Sequence, residues 1–148
     1  MKVPKVVLDT DLFLGHLQDD RTPSLLRLAV QKFFCYTTVF HAIELFAAGK
    51  SEADRQAFED SMAVVKILGL NAKNAPTFGR QFAASGKRSA LATLAGGLCL
   101  ESRLPLVTGR RALFRGSGVL LIPAEMLRKF ETGDEILKAV AKAGRRTG

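Results

Sequence analysis

The 148-residue sequence has no tryptophan, a single tyrosine and only two cysteines. Cys35 and Cys99 are too few for a disulfide framework, and neither sits in a CxxC or Cys/His spacing suited to zinc. Both lie in apolar stretches, so they read as buried free thiols of a reducing compartment. Long apolar runs are also missing. The longest, Ala90 to Leu100, contains Thr93, Gly96 and Gly97 and falls short of the ~20 residues that span a bilayer. The apolar run at the N-terminus, Val6-Val7-Leu8, is too short for a signal peptide and ends on Asp9. A cytoplasmic protein without membrane contact is therefore expected. Acid is scarce as well: 14 Asp+Glu against 22 Lys+Arg leave a formal charge of +8, which favours an acidic partner such as nucleic acid. With 47% hydrophobic and 24% charged residues, the composition is that of one folded domain, not of a disordered chain.

What is present is an alternation of strands and helices. Val6–Leu8 reads as a buried strand that ends on Asp9-Thr10-Asp11. Thr22, followed by Pro23, reads as the cap of a helix reaching about Phe33. Phe34–Thr37 is rich in strand formers and runs into a helix from Thr38 with Gly49 as its C′ residue. Ser51, with Glu52 and Asp54 in the first turn, starts a helix whose apolar positions run to about Lys66. Further helices are expected over Ala75–Ala84 and, capped by Ser89, over Ala90–Ser102. Leu104–Thr108 and Val119–Ile122 read as buried strands, with Gly116-Ser117-Gly118 as the turn before the second. One or two helices follow from Pro123, ending in a frayed basic tail over residues 142–148. Apolar strands alternating with helices imply a single α/β domain over residues 1–148, with a central parallel β-sheet sandwiched between helices.

Ligands of such sheets gather at the carboxyl ends of the strands, which selects Asp9 and Asp11. Glu44 lies in the helix after the second strand, the expected neighbour of the first. Carboxylates collected at one edge repel one another unless a cation such as Mg²⁺ or Mn²⁺ neutralises them. That metal would activate water and support phosphoryl displacement. The plainer alternative is that Asp9 or Asp11 caps a helix and Glu44 is solvated. His16 and His41 have no Ser or Cys partner at a recognisable spacing and read as packed or surface histidines. Asp19-Asp20 reads as a solvated loop, and Phe33, Phe34, Phe40 and Phe46 as core.

Three segments carry a resemblance: Val6–Leu14, with Asp9-Thr10-Asp11 after its strand; Thr37–Leu45, with Glu44 before Leu45; and Leu94–Thr108, a small-residue helix running into Leu104-Pro105-Leu106-Val107-Thr108. In order and separation they resemble the PIN-domain family, whose bacterial members include VapC-like toxins. The resemblance implies a Mg²⁺- or Mn²⁺-dependent single-strand ribonuclease, often a homodimer, with an antitoxin-like protein partner. It assigns Asp9, Asp11 and Glu44 to the metal, with Asp9 and Glu44 catalytic. The chain also departs from the pattern. Ala92, twelve positions before Leu104, stands where the family has its third acid, and Arg110 and Leu113 stand where its last acids lie. Asp11 occupies a position where Asn is usual. Arg88, Arg110 and Arg111 put positive charge near the same cleft, as nucleic-acid contacts or, for Arg110, as a direct counter-charge to the acids. Two readings follow: a ribonuclease of weak or impaired activity, or a catalytically inactive module that binds RNA or protein. A third places a partner or a second copy on the helices after Ser51.

Overall fold

The computed structural model describes residues 3–18, 21–86 and 89–147. Five parallel strands, β1 (Lys5–Leu8), β2 (Phe34–Thr38), β3 (Lys66–Leu68), β4 (Leu106–Thr108) and β5 (Leu121–Pro123), form one sheet in the order β3-β2-β1-β4-β5. Around it run α1 (Thr10–Gln18), α2 (Leu25–Lys32), α3 (Val39–Ala47), α4 (Glu52–Met62), α5 (Ala75–Ala84), α6 (Ala90–Ser102), α7 (Met126–Lys129) and α8 (Gly133–Thr147). After exposed Lys5 the central strand is apolar, Val6-Val7-Leu8, because both of its faces are covered there. Val6 and Leu8 point into one core with Phe13, Leu26, Leu45, Phe58 and Ile136, while Val7 points the other way to Ala92, Cys99, Leu106 and Phe114. Each fully buried Val, Leu or Phe contributes about 1.5–3 kcal/mol. Cys35 and Cys99 are buried and free, and burial pushes both thiols up to about 12.

The α/β class, the parallel sheet and the helices Ala75–Ala84 and Ala90–Ser102 agree with the sequence reading. Several boundaries do not. A helix, α1, starts immediately after Asp9, where none was expected. The cap of α2 is Ser24, whose side chain accepts from Arg27 N, and not Thr22; the Thr22–Pro23 bond is cis. Helix α4 stops at Met62, and β3 occupies the stretch beyond it. This edge strand escaped the sequence reading because Lys66 and Ile67 are both exposed, so no alternation marks it. Strands β4 and β5 begin two residues later than expected, at Leu106 and Leu121. Pro123 closes β5 on the outer edge of the sheet, where a missing N–H is tolerated. Phe34 is 41% exposed, beside Tyr36 and the Lys66 ammonium, and is not core.

Gly49 acts by close approach instead of by a left-handed turn: a Cβ there would lie 3.1 Å from the Phe58 ring. The expected frayed tail is helical as far as Thr147. Gly116 and Gly118 do make the turn before β5, with φ of 79° and 84°. His16 is packed, its Nδ1 2.7 Å from Ser24 Oγ. Asp19-Asp20 and Arg88 lie outside the described residues. No helix among the described residues is long and apolar enough to cross a membrane.

Candidate functional site

The chain moves from β1 outward to β2 and β3, then returns to the other side of β1 for β4 and β5. The reversal opens a crevice at the carboxyl ends of β1 and β4, the place where open parallel sheets bind ligands. Asp9 follows β1 there, and Thr108, Gly109 and Arg110 end or follow β4. Helix α3 adds Glu44 from the adjoining strand. Its start is fixed by Thr38, whose hydroxyl accepts from His41 N. In return the Thr38 N–H lies 3.4 Å from His41 Nδ1, closing a capping box.

The structure brings Asp9 and Glu44 together, and puts the Arg110 guanidinium between them. Arg110 Nη2 and Nε donate to Asp9 Oδ1 and Oδ2 at 2.6 and 3.0 Å. Nη2 and Nη1 donate to Glu44 Oε1 and Oε2 at 2.8 and 3.3 Å. Both carboxylates are thus held by a planar fork, the strongest geometry available to an ion pair. Asp9 is fully buried, while Arg110 and Glu44 keep about a third of their surface exposed. The remaining lone pairs of Asp9 accept from Thr10 N at 2.7 Å and Thr108 Oγ1 at 2.6 Å. Thr108 Oγ1 also accepts from Arg110 N at 2.8 Å, so the same hydroxyl aims both partners. Buried His41 completes the cluster, its Nε2 3.3 Å from Asp9 Oδ1.

Burial by itself raises the Asp9 carboxyl, but the contacts with His41, Arg110 and Thr108 outweigh it and hold the group well below the usual carboxylate range. Glu44 moves down in the same way, burial being overcome chiefly by Arg110. Arg110 itself is opposed by burial but stabilised as a cation by both acids.

A divalent cation fits this arrangement poorly. Mg²⁺ needs free carboxylate oxygens and room for several waters. Here both Asp9 oxygens already take two donors each, and a fixed positive charge sits between the acids. The space among Glu44, His41, Ala92, Arg110 and Phe114 is about 10 Å³, no more than one water requires. Among the described residues no group of three His, Cys, Asp or Glu side chains is placed to hold a metal. Ala92 does line this cavity, at the position where the resemblance puts an acid, whereas Leu113 is partly exposed on the 3-10 turn Arg111–Phe114 and outside that lining. The arrangement is one of mutual neutralisation: it fixes the ends of β1, β4 and α3 against one another.

Asp11 is near but not joined to the fork. Its Oδ2 accepts from Gly109 N at 2.8 Å, and its Oδ1 is buried without a partner. Gly109 lets the carboxylate come this close: a Cβ there would lie 2.5 Å from Asp11 Oδ2 and would push that side chain aside. Arg111 is exposed and borders the Asp11 side, apart from Asp9 and Glu44. His41 and Thr108 are the contributors that sequence reasoning passed over. The signal for His41 was its position three residues before Glu44, on the same face of one helix. Thr108 was visible only as the last residue of a strand motif.

Burial, and then the neighbouring Asp9 charge, push the Asp11 carboxyl up to about 6. The native state therefore binds this proton more tightly than the unfolded chain, whose value is about 4. Its contribution to stability is full below pH 4 and is lost as pH rises through 6. Asp11→Asn is expected to stabilise the protein by about 1 kcal/mol at pH 7.5, after discounting for partial exposure, and to leave it nearly unchanged at pH 4. Urea denaturation at the two pH values checks this; equal effects at both would refute it.

No protein-family model matches this chain, and no curated protein matches it significantly. Solved structures do. A chain of VapBC2 from Rickettsia felis bound to a DNA fragment from their promoter superposes with a TM-score of 0.64 at 14% identity, over 79% of this chain and 96% of that one. FitAcB from Neisseria gonorrhoeae gives 0.57 at 14% identity over 80% and 97%. A toxin–antitoxin complex from Klebsiella pneumoniae gives 0.57 at 16% over 80% and 97%. The chain has their fold. It is the PIN-like α/β fold that the three sequence segments implied, and the shared coverage reaches almost the whole length of each neighbour.

Proposed function

We propose that this chain is a PIN-like domain of toxin–antitoxin type that acts by binding an antitoxin-like protein, its acidic cleft neutralised from within by Arg110. The observation that carries this reading is the double fork of Arg110 on Asp9 and Glu44. A nuclease of the implied kind needs those two carboxylates free to hold a metal and orient water. Here they are the counter-ions of a guanidinium that cannot be deprotonated. The chemistry a bound Mg²⁺ or Mn²⁺ would supply, water activation beside a phosphodiester, then finds neither Asp9 nor Glu44 vacant to support it. The residues act instead as an electrostatic clasp: Arg110 ties the end of β4 to β1 and α3, Thr108 orients both charges, and His41 caps α3 while facing Asp9. Support for a protein partner comes from the structural neighbours, which include toxin–antitoxin complexes. A groove of about 610 Å³ between α1, α2 and α4, with exposed Leu17 and Val64 beside polar His16, Arg27, Gln31 and Asp60, offers such a partner a surface.

The purified chain, incubated with Mn²⁺ or Mg²⁺ and varied single-stranded RNAs, is expected to leave them intact, and Asp9→Asn is expected to change nothing. Metal-dependent cleavage that disappears in Asp9→Asn would establish the alternative, a working ribonuclease.

A further inference from the structure

The formal charge of +8 is not spread evenly along the chain. Residues 61–124 hold nine Lys+Arg and a single acid, Glu101, while the rest of the sequence balances at thirteen of each. The fold puts most of that stretch on one side of the sheet. A 3-10 turn at Ala72–Asn74 leads into α5, and α5 packs on α6 with the Phe78 ring over Gly97. Helix α6 in turn covers the Val7 face with Ala92 and Cys99, and the turn Arg111–Phe114 adds Phe114. This layer and its connections expose Lys73, Arg80, Arg103, Arg111 and Arg115. Among the described residues none of these five is in an ion pair, unlike Arg110. Lys87 and Arg88, which join α5 to α6, lie outside the described residues and add two more cations to the same stretch of chain. The layer over Val6 and Leu8 mixes its signs: α4 alone carries Glu52, Asp54, Glu59 and Asp60.

The extent of this basic field bears on what it can hold. Helix α6 has 13 residues and so runs about 20 Å. Arg103 stands just past its C-terminal end, and Arg111 adjoins Arg110, which meets Ala92 in the first turn of α6. The cations therefore spread over about the length of the helix, farther than one small anion reaches. An aromatic ring lies among them: Phe82 is 48% exposed, whereas Phe78 and Phe114, the other rings of the layer, are buried. Unpaired cations over such a length attract a chain that carries a charge on every unit, and release of its counterions drives the association. A strand of nucleic acid is such a chain, and its unpaired bases offer Phe82 a face to stack on. A duplex keeps those faces inside, and an acidic peptide has none.

We propose that the α5–α6 layer binds single-stranded nucleic acid, its phosphates following the five exposed cations and a base resting on Phe82. The surface shares no side chain with the Arg110 clasp and needs neither Asp9 nor Glu44. It goes beyond the reading of the chain as an antitoxin-binding domain, and it stands whether or not the acidic cleft is silent.

The test is fluorescence anisotropy of a labelled oligouridylate of about 20 nucleotides, titrated with the full chain in EDTA, which keeps metal-dependent cleavage out of the readout. Saturable binding is expected, weakening with salt at a log–log slope of about −3, the value for roughly four to five phosphates of a single strand. Arg80→Gln with Arg115→Gln should weaken binding about tenfold and flatten that slope by about 1.4. Phe82→Ala should weaken it about fivefold or more, through the lost stacking. Lys138→Gln with Lys142→Gln removes the same charge from α8, on the other layer, and should change affinity by less than about twofold. All five side chains are exposed, so each variant should melt within about 2 °C of the parent, which separates lost binding from lost folding. Three results overturn the proposal: no saturable binding, equal losses in the two double variants, or competition as strong as the strand's own by a duplex of the same length, polyglutamate or phosphatidylserine vesicles.

Discussion

Arg110→Met is expected to destabilise the protein by about 3 kcal/mol at pH 7, lowering its melting temperature by roughly 6–12 °C. Methionine keeps the packed stem but removes the guanidinium, and with it both charge-assisted forks. Asp9 is fully buried, so its carboxylate stays in a low-dielectric site with only Thr10 N, Thr108 Oγ1 and His41 as partners. Breaking a buried pair by deleting one member costs about 3–5 kcal/mol. The lower end applies here because those donors remain and because Arg110 is itself about a third exposed. The pH dependence has a defined sign. Asp9 and Glu44 titrate below their unfolded values, so the stability they supply is present above about pH 4 and is lost as pH falls through their depressed native values. The gap between parent and variant should therefore narrow as pH falls below 4, while the variant's acid-unfolding midpoint moves up. Pairing the substitution with Asp9→Asn should cost less than the two single changes together, since the stranded charge is gone. Thermal melts between pH 2 and pH 8 read all three effects. A variant within about 1 kcal/mol of the parent at pH 7 would mean that the fork is a surface ornament.

Asp9 and Glu44 were legible because one rule locates both: ligand groups sit at the carboxyl ends of parallel strands, and β1 and β2 are neighbours in the sheet. Arg110 was legible by its distance from Thr108, but a sequence cannot say which of two acids takes a guanidinium. The structure answers that it takes both. His41 joins the cluster through tertiary approach of α3 to β1, and its pattern in sequence is only that of a polar residue one turn before Glu44. Helix α1 was missed because Gly15, His16 and Gln18 dilute its apolar face, leaving Leu12 and Phe13 as the buried signal. At α2, Thr22 and Ser24 are both good caps two residues apart, and the Pro23 between them favoured the wrong one. The charge of +8 acquires a local meaning too. Acids at positions 92, 110 and 113 would change the balance from 22 against 14 to 21 against 17, or +4. Half of the basic excess thus traces to three positions that the resemblance makes acidic, and one of these, Arg110, is spent inside the cleft.

Restoring acids at two of these positions is expected to create a response to metal. Mn²⁺ is expected to leave the melting temperature of the parent chain unchanged, because both Asp9 oxygens are taken and a guanidinium occupies the approach. Ala92→Asp combined with Arg110→Asp replaces that cation with two carboxylates facing Glu44 and Asp9. Position 92 is buried among Phe114, His41 and Glu44, so without metal the variant concentrates unpaired negative charge and should melt well below the parent. A divalent cation then supplies the missing positive charge, and native-state binding stabilises by mass action, about 2.7 kcal/mol at a hundredfold excess over the dissociation constant. The expected signature is opposite responses: a large rise with Mn²⁺ in the variant, reversed by chelator, and none in the parent. A rise of the same size in the parent would mean that Arg110 yields readily to metal, and the clasp reading would fail. A variant that folds at low temperature yet ignores Mn²⁺ would show that removing the guanidinium is not enough, and that the neutralised geometry of β1, β4 and α3 has itself drifted from one that can hold a cation.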